Sequence, residues 1–365
     1  MDRGPIAEIN LSSFHYNLKL VRRIVNRRPV IGMVKADAYG HGAPAISKEM
    51  ISAGVSHLAV AFTGEAKILR EAGISARILV LFDRYGIEDF FDYNLIPVIQ
   101  DIKTARAISK EARRRKVRIS AHLKVDTGMG RVGLAAGEAV AAAVKIAGME
   151  GIEIVGLMSH FSEADLSDRS YALKQIKIFK EIRNGIAGKT CRQVMTHMGN
   201  SAAVLSLKEG LFDAVRPGIL LYGHSPVKEQ YGLRPLMRIR TNILAIRTLT
   251  KGSPVSYGRT FITKRRSKIA VLPVGYNDGY NRLFSNNSAV LVRGKRAPLV
   301  GRVCMDLSMV DVTEVENVAE GDEVVLLGRQ GSGVIDAGEL ASRINTIPYE
   351  ILTSLGSRAR KEYIH

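Results

Sequence analysis

The feature that most constrains this chain is an alternation of short apolar runs with segments of helical character, repeated eight times within about 200 residues. The runs are "PVIGMVKA" (29–36), "HLAVAF" (57–62), "ARILVLF" (76–82), "LIPVIQ" (95–100), "RISAHLKVD" (118–126), "IEIVGLMSHF" (152–161), "CRQVMTH" (191–197) and "VRPGILLYG" (215–223). Between them, "APAISKEMISAG", "DIKTARAISKEARRRK", "GEAVAAAVKIAG" and "DRSYALKQIKIFKEIRNGIAG" space their apolar residues as helices do, and several stop at glycine. Strand and helix in this order predict a parallel (β/α)8 barrel. The alternative is a doubly wound open sheet. That fold would normally carry a Gly-rich dinucleotide turn after its first strand, which "KADAYGHG" does not match.

Beyond Tyr222 the texture changes. "TNILAIRTLTKG", "SKIAVLPVGY", "SAVLVRGKRAPLVGRVCMDLSMVDV" and "GDEVVLLG" are β-rich and broken by Gly, Pro and Asn turns, with a final helix expected near "ELASRINT". A chain of 365 residues suits one barrel plus a second domain. The expected division is a barrel over 1–232 and a mainly-β domain over 233–365, an α/β class overall. Residues 1–11 hold a strand-like "IAEINL" expected to pair outside the barrel, with the β domain as its candidate partner.

The charge balance is basic, 53 Lys and Arg against 35 Asp and Glu for a net +18. The clusters "RRIVNRR", "ARRRKVR" and "TKRRSK" invite a nucleic-acid reading. Yet "ARRRKVR" closes a helical run, where cations complement the helix dipole. No aromatic-interleaved patch accompanies the charge, so no nucleic-acid partner is expected. Two cysteines, Cys191 and Cys304, imply no disulfide framework, and no apolar run approaches a membrane span. A cytoplasmic protein without a membrane partner is expected. No Cys/His cluster has metal-ligand spacing, so no metal is expected either.

In a (β/α)8 barrel, chemistry is built at the C-terminal ends of the strands. The unusual polar residues fall there. Lys35 ends the first run, Lys124 and Asp126 end the fifth with Arg131 shortly after, and His160 ends the sixth. His197, Asn200 and Ser201 follow the seventh, and Arg216 stands at the eighth before Gly218 and Ile219. Singly, each has an ordinary reading: a strand-end lysine snorkels to solvent, a buried histidine is a satisfied core group, an arginine closes an ion pair. Together they predict one polar rim. The loops after strands seven and eight are where such barrels hold phosphate, here Asn200, Ser201 and Gly218 to Tyr222. A strand-end lysine beside a phosphate cradle suggests pyridoxal phosphate held covalently by Lys35. The rim offers the pyridine nitrogen an arginine, Arg216, which stays protonated and would weaken the ring as an electron sink. Such a site favours brief deprotonation at Cα over transamination.

The motifs "VKADAYGHG", "KVDTGMGRVG", "GLMSHF", "NSAA", "VRPGILLYG", "VSYGRTF", "VGYNDGY", "GRVCMD" and "IPYEILT", in this order, make the chain resemble the alanine racemases over nearly its whole length. The resemblance implies pyridoxal 5′-phosphate as cofactor, an amino-acid substrate, and L-alanine to D-alanine interconversion that supplies peptidoglycan. It also implies a head-to-tail homodimer whose active sites are shared between subunits. Lys35 would hold the cofactor and serve as base on one face of Cα. Tyr257, from the second subunit, would serve on the other. Arg216 would bond the ring nitrogen with His197 supporting it, and His160 would lie beside the second subunit's tyrosine. Arg131 would contact the phenolic oxygen and the substrate carboxylate. Tyr39, Ser201, Gly218, Ile219 and Tyr349 would hold the phosphate, and Met305 and Tyr276 would complete the substrate pocket. Lys124 matches a lysine carbamylated in many members, and Asp165, Arg282, Arg302 and Asp306 match the substrate entrance. A broad-specificity or serine-preferring racemase on the same scaffold is the nearest alternative. A barrel decarboxylase is disfavoured, because those enzymes usually set a carboxylate against the ring nitrogen.

The sequence departs from the family pattern at Met198 and Gly199 before the Asn, at Glu163 near the entrance, and at Phe261, where Tyr is frequent.

Overall fold

Seven of the eight apolar runs form parallel strands, and the eighth is reduced to a pair of bridges. In the computed structural model, which describes residues 4–190, 193–229 and 231–365, the strands are Ile31–Met33, His57–Val60, Arg77–Val80, Ile96–Ile99, Ile119–Asp126, Ile152–Met158 and Met195–His197. Each pairs in parallel with the next. The run expected from residue 191 begins with Cys191 and Arg192, which lie outside the described residues. Burial explains why these strands read as unbroken apolar runs: helices cover their outer face and side chains fill the inside.

The eighth position corrects the expected strand over 215–223. Only Ala214 and Val215 bridge, to His197 and Val30 respectively, both in parallel. The Ile31 amide donates to the Val215 carbonyl at 2.8 Å and the Val215 amide to that of Pro29 at 3.0 Å, so the ring closes. The strand stops there because Pro217 has no N–H to continue the ladder. The chain curls instead, with Leu221 bonding back to Gly218 and Tyr222 to Ile219. The result is a (β/α)8 barrel with an abbreviated last stave.

The helix Ile102–Arg115 shows why the basic clusters sit where they do. Asp101 caps it, its side chain accepting from the Thr104 amide at 2.7 Å, and Lys116 ends it in the left-handed conformation. Arg113, Arg114 and Arg115 fill the last turn, against the negative end of the dipole.

The chain divides into two compact units. The barrel unit comprises His15–Ala36 and Ala43–Arg234; the β unit comprises the residues up to Phe14, Asp37–Gly42 and Pro235–His365. Within the β unit, the largest sheet runs Lys295–Pro298, Ala289–Val292, Glu323–Gln330, Met237–Asn242, Ile6–Asn10, Arg360–Ile364. Ile6–Asn10 pairs antiparallel with Met237–Asn242 and parallel with Arg360–Ile364. Its alternation directs Ala7 and Ile9 inward and leaves Glu8 to meet Arg238 and Arg240 at 2.5 and 2.7 Å. A three-stranded sheet joins Ala245–Leu249, Ser267–Leu272 and Ser308–Asp311. Two helices close the unit, not the one expected: Ala337–Arg343, and Pro348–Arg358 with proline at its start. Among the described residues no helix is long and apolar enough to cross a membrane.

Candidate active site

Strand ends bring the rim residues of the barrel unit together around Arg216. Its guanidinium is buried and, among the described residues, has no carboxylate partner. Nη1 donates to His197 Nδ1 at 2.6 Å and to the His197 carbonyl at 2.8 Å. Nη2 donates to the Ser159 carbonyl at 2.7 Å, to His160 Nδ1 at 3.2 Å and to the Met198 carbonyl at 3.3 Å. Three carbonyls and two imidazoles thus satisfy four of the five N–H groups an arginine carries. Nε–H has no partner among the described residues. Burial lowers the Arg216 pKa to about 9, which still leaves it a cation near neutrality. Burial, then the Arg216 charge, holds His197 and His160 well below the usual imidazole range, so both rings are neutral acceptors.

His122, which the sequence reading passed over as part of an apolar strand, completes this cluster. Its Nδ1 lies 2.7 Å from His197 Nε2, with both rings buried. The available signal was period two: His122 and Lys124 are two apart on one strand and share a face.

Lys124 is buried, its ammonium 5.0 Å over the Phe82 ring, and the Arg131 guanidinium lies 5.4 Å from the same ring. Burial first, then the charges of Arg131 and Arg216, lower Lys124 to about 7 against the opposing pull of Asp126. Asp126 spends its carboxylate on its own loop, accepting from the Gly128 and Met129 amides at 2.9 and 2.8 Å.

Lys35 follows the first strand, half-buried, with no hydrogen bond or ion pair among the described residues. Burial lowers its pKa, Arg131 lowers it further and Glu65 opposes. The backbone just beyond is unusual. Ala36, Asp37, Ala38 and Tyr39 have φ of +52 to +56°, a short left-handed helical turn without a glycine among them. Each such residue costs about 1–2 kcal/mol, so the surroundings must hold the turn in place. Glu65 accepts from the Ala36 amide, and within the β unit the buried His41 Nδ1 donates to the Ala38 and Tyr39 carbonyls, both at 3.0 Å.

At the eighth position, Ser201 Oγ accepts from the Gly218 and Leu220 amides at 2.8 and 3.3 Å, pinning the two candidate phosphate loops to each other. The helix Ser201–Ser206 is capped by Asn200, whose Oδ1 takes the Ala203 amide at 2.9 Å.

The β unit gathers the remaining candidates. The rings of Tyr39 and Tyr349 lie 5.9 Å apart, and burial, then Tyr349, raises the Tyr39 phenol. Tyr257 tips a turn and is 70% exposed. Ser256 Oγ donates to the Arg302 carbonyl at 2.6 Å, and a Cβ at Gly258, whose φ is +69°, would come within 3.2 Å of the Arg302 guanidinium. Tyr276 and Asn277 bond through their amides to the Cys304 and Met305 carbonyls, both at 3.0 Å, so Tyr257, Arg302, Met305 and Tyr276 belong to one group of interlocked loops. Phe261 packs against the buried Val255, Ile269 and Val300. Arg282 and Asp165 are exposed on the β and barrel units respectively, and Asp306 lines a cavity in the β unit with Leu307 and Arg360.

Comparison with known proteins agrees over the whole length. The alanine racemase N-terminal domain matches residues 9–226 and the C-terminal domain residues 236–363. The alanine racemase of Thermodesulfovibrio yellowstonii is 49% identical over 368 residues, covering 100% of this chain and 99% of that protein. The alanine racemase structure from Clostridium difficile has a TM-score of 0.93 at 32% identity, covering 100% of this chain and 96% of that one. That from Bartonella henselae, with covalently bound pyridoxal phosphate, has a TM-score of 0.90 at 30% identity, each chain covered in full. With both family domains matched in order and half the residues shared with a full-length relative, this chain belongs to the alanine racemase family.

Proposed function

We propose that the protein interconverts L-alanine and D-alanine with pyridoxal 5′-phosphate as cofactor, using Lys35 and the partner subunit's Tyr257 as two bases, and that it supplies D-alanine for peptidoglycan from the cytoplasm. The observation that carries this reading is the Arg216 guanidinium, with four donors spent inside the barrel and Nε–H left over. A pyridine nitrogen is an acceptor that such a donor fits, and the Lys35 amine, which makes no hydrogen bond among the described residues, fits an aldehyde. The cations Lys35, Arg131 and Arg216 at the site fit an anionic guest such as a phosphate ester.

Bound, the cofactor acidifies the Cα–H of an attached amino acid by delocalising the electron pair left behind. The protein's residues then divide the work. Arg216, still protonated near neutrality, would hold the ring nitrogen through Nε–H and limit how far charge is drawn away from Cα, which would favour prompt return of the proton. Lys35, its pKa lowered by burial and by Arg131, is suited to take or give a proton at Cα from its own face. Racemisation needs a second group on the opposite face. The exposure of Tyr257, with exposed Ile262, Tyr276, Leu283 and Met305 in the same unit, supports a face that a second copy covers. Arg131, whose guanidinium lies over the Phe82 ring, would receive the substrate carboxylate. For Lys124 the reading is carbamylation: the neutral amine adds to CO2 and releases a proton. A cation crowded by Arg131, Arg216 and Lys35 thereby becomes an anion that Arg131 attracts.

The test is incubation of the protein and cofactor with L-alanine, L-serine or L-lysine in deuterated water, following optical rotation and Cα deuterium by NMR. Loss of rotation with deuterium entering alanine is the expected result. Faster loss with serine would move the reading to a serine-preferring racemase. Retained rotation with all three would overturn it.

A further inference from the structure

We infer that His122 is a positioning residue for the barrel site: by accepting a hydrogen bond from His197 Nε2, it fixes the tautomer in which His197 Nδ1 can receive Arg216. This inference deepens the proposed function and rests on it for the importance of Arg216. It stands on geometry of its own.

Arginine nitrogens only donate. With Arg216 Nη1 at 2.6 Å, His197 Nδ1 must be the acceptor, so the proton of this neutral ring lies on Nε2. Nε2 faces His122 Nδ1 at 2.7 Å, so His122 accepts there and carries its own proton on Nε2. The donors thus run in one direction, from guanidinium to His197 to His122. The rings meet at 58° with centroids 4.9 Å apart, a tilted contact rather than a parallel stack. Burial, then the charges of His57 and Arg216, lowers His122 to about 3, so it stays neutral and able to accept at any working pH.

The neighbouring strand leaves room for this ring. A Cβ at Gly156 would lie 2.3 Å from His122 Nδ1, so no side chain fits at Gly156 while His122 keeps this pose. Without an acceptor at position 122, a proton kept on His197 Nε2 would be buried unsatisfied, so it moves to Nδ1, where it faces the Arg216 donor. That shift withdraws support from Arg216, and His122 acts only through His197.

The experiment uses the cofactor-loaded enzyme with ¹⁵N-labelled histidine, unsubstituted and as His122→Phe, His122→Asn and Gly156→Ala. Phe keeps the volume and removes the acceptor; Asn places Oδ1 where Nδ1 stood; Gly156→Ala displaces the ring without changing its chemistry. In the unsubstituted protein and His122→Asn, His197 should show protonated Nε2 and an unprotonated, hydrogen-bonded Nδ1. In His122→Phe and Gly156→Ala that pattern should be lost, with kcat down about 10- to 100-fold and KM for alanine changed little. An unchanged His197 pattern in His122→Phe or, if that variant does not fold, in Gly156→Ala would overturn the inference. So would His122→Asn as impaired as His122→Phe. An unsubstituted enzyme that does not racemise alanine would instead count against the proposed function, since the nitrogen pattern reports on His122 without turnover.

Discussion

Arg216 and His197 are joined twice by one nitrogen: Nη1 donates to the ring at 2.6 Å and to the same residue's carbonyl at 2.8 Å. This fixes the guanidinium plane as a single bond would not, and a lysine cannot reproduce it. Arg216→Lys is therefore expected to lower kcat by about 100-fold or more, since the donors at such a site are directional. It should also weaken retention of the cofactor during dialysis. Activity within a few fold of the parent would show that charge alone suffices.

Removing the exposed phenol should act on one enantiomer more than the other. In Tyr257→Ala the cofactor should still bind, while exchange of the Cα proton from L-alanine into deuterated water slows far more than exchange from D-alanine. Equal slowing in both directions would sink the assignment of two bases. Mixing Lys35→Ala with Tyr257→Ala chains should restore activity if sites are shared between copies. No recovery after verified subunit exchange would count against sharing.

Carbamylation of Lys124 should follow loss of its proton. With the pKa lowered to about 7, the neutral amine that reacts with CO2 grows as pH rises through that value. With ¹³C-bicarbonate, a carbamate resonance is expected to be strong at about pH 8, weak at about pH 6, and absent in Lys124→Ala. A resonance of equal strength at both pH values would contradict the lowered pKa.

Acid should loosen the Ala337–Arg343 helix at a definite point. Arg296 grips Glu339 with both Nη atoms at 2.6 and 2.7 Å, Arg343 adds a third contact at 2.9 Å, and together they hold the carboxyl at about 2. A carboxyl held low in the folded state contributes stability above its unfolded value near 4, lost as pH falls towards 2. With solvent screening at this partly exposed site, the contribution is about 1 kcal/mol. Glu339→Gln should therefore speed hydrogen exchange in this helix at pH 7 and make no difference near pH 2. A difference of the same size at both would place the effect in packing.

The barrel was legible because a strand covered on both faces leaves an apolar run, and the first seven runs obey this. The eighth misled for the same reason: "VRPGILLYG" is apolar, yet Pro217 removes the donor that a strand needs and the chain turns. Lys35, His197 and Arg216 could be found as polar residues at strand ends, but His122 lies further down its strand, where a lone histidine reads as core. Pro348 marked a helix start that the motif around it concealed. The left-handed turn after Lys35 had little local signal, since of Ala, Asp, Ala and Tyr only Asp visits that region with any frequency; its surroundings impose it.

Burying Arg216 without a counter-carboxylate has a consequence for the life of the protein in a cell. The barrel unit folds around a charge with no carboxylate against it among the described residues, near the cations Lys35 and Arg131, and an anionic guest relieves that repulsion. Resistance to unfolding should then grow with the logarithm of the guest's free concentration. Cofactor scarcity would shorten the half-life of the chain as well as idle it, so its abundance would follow the supply of cofactor.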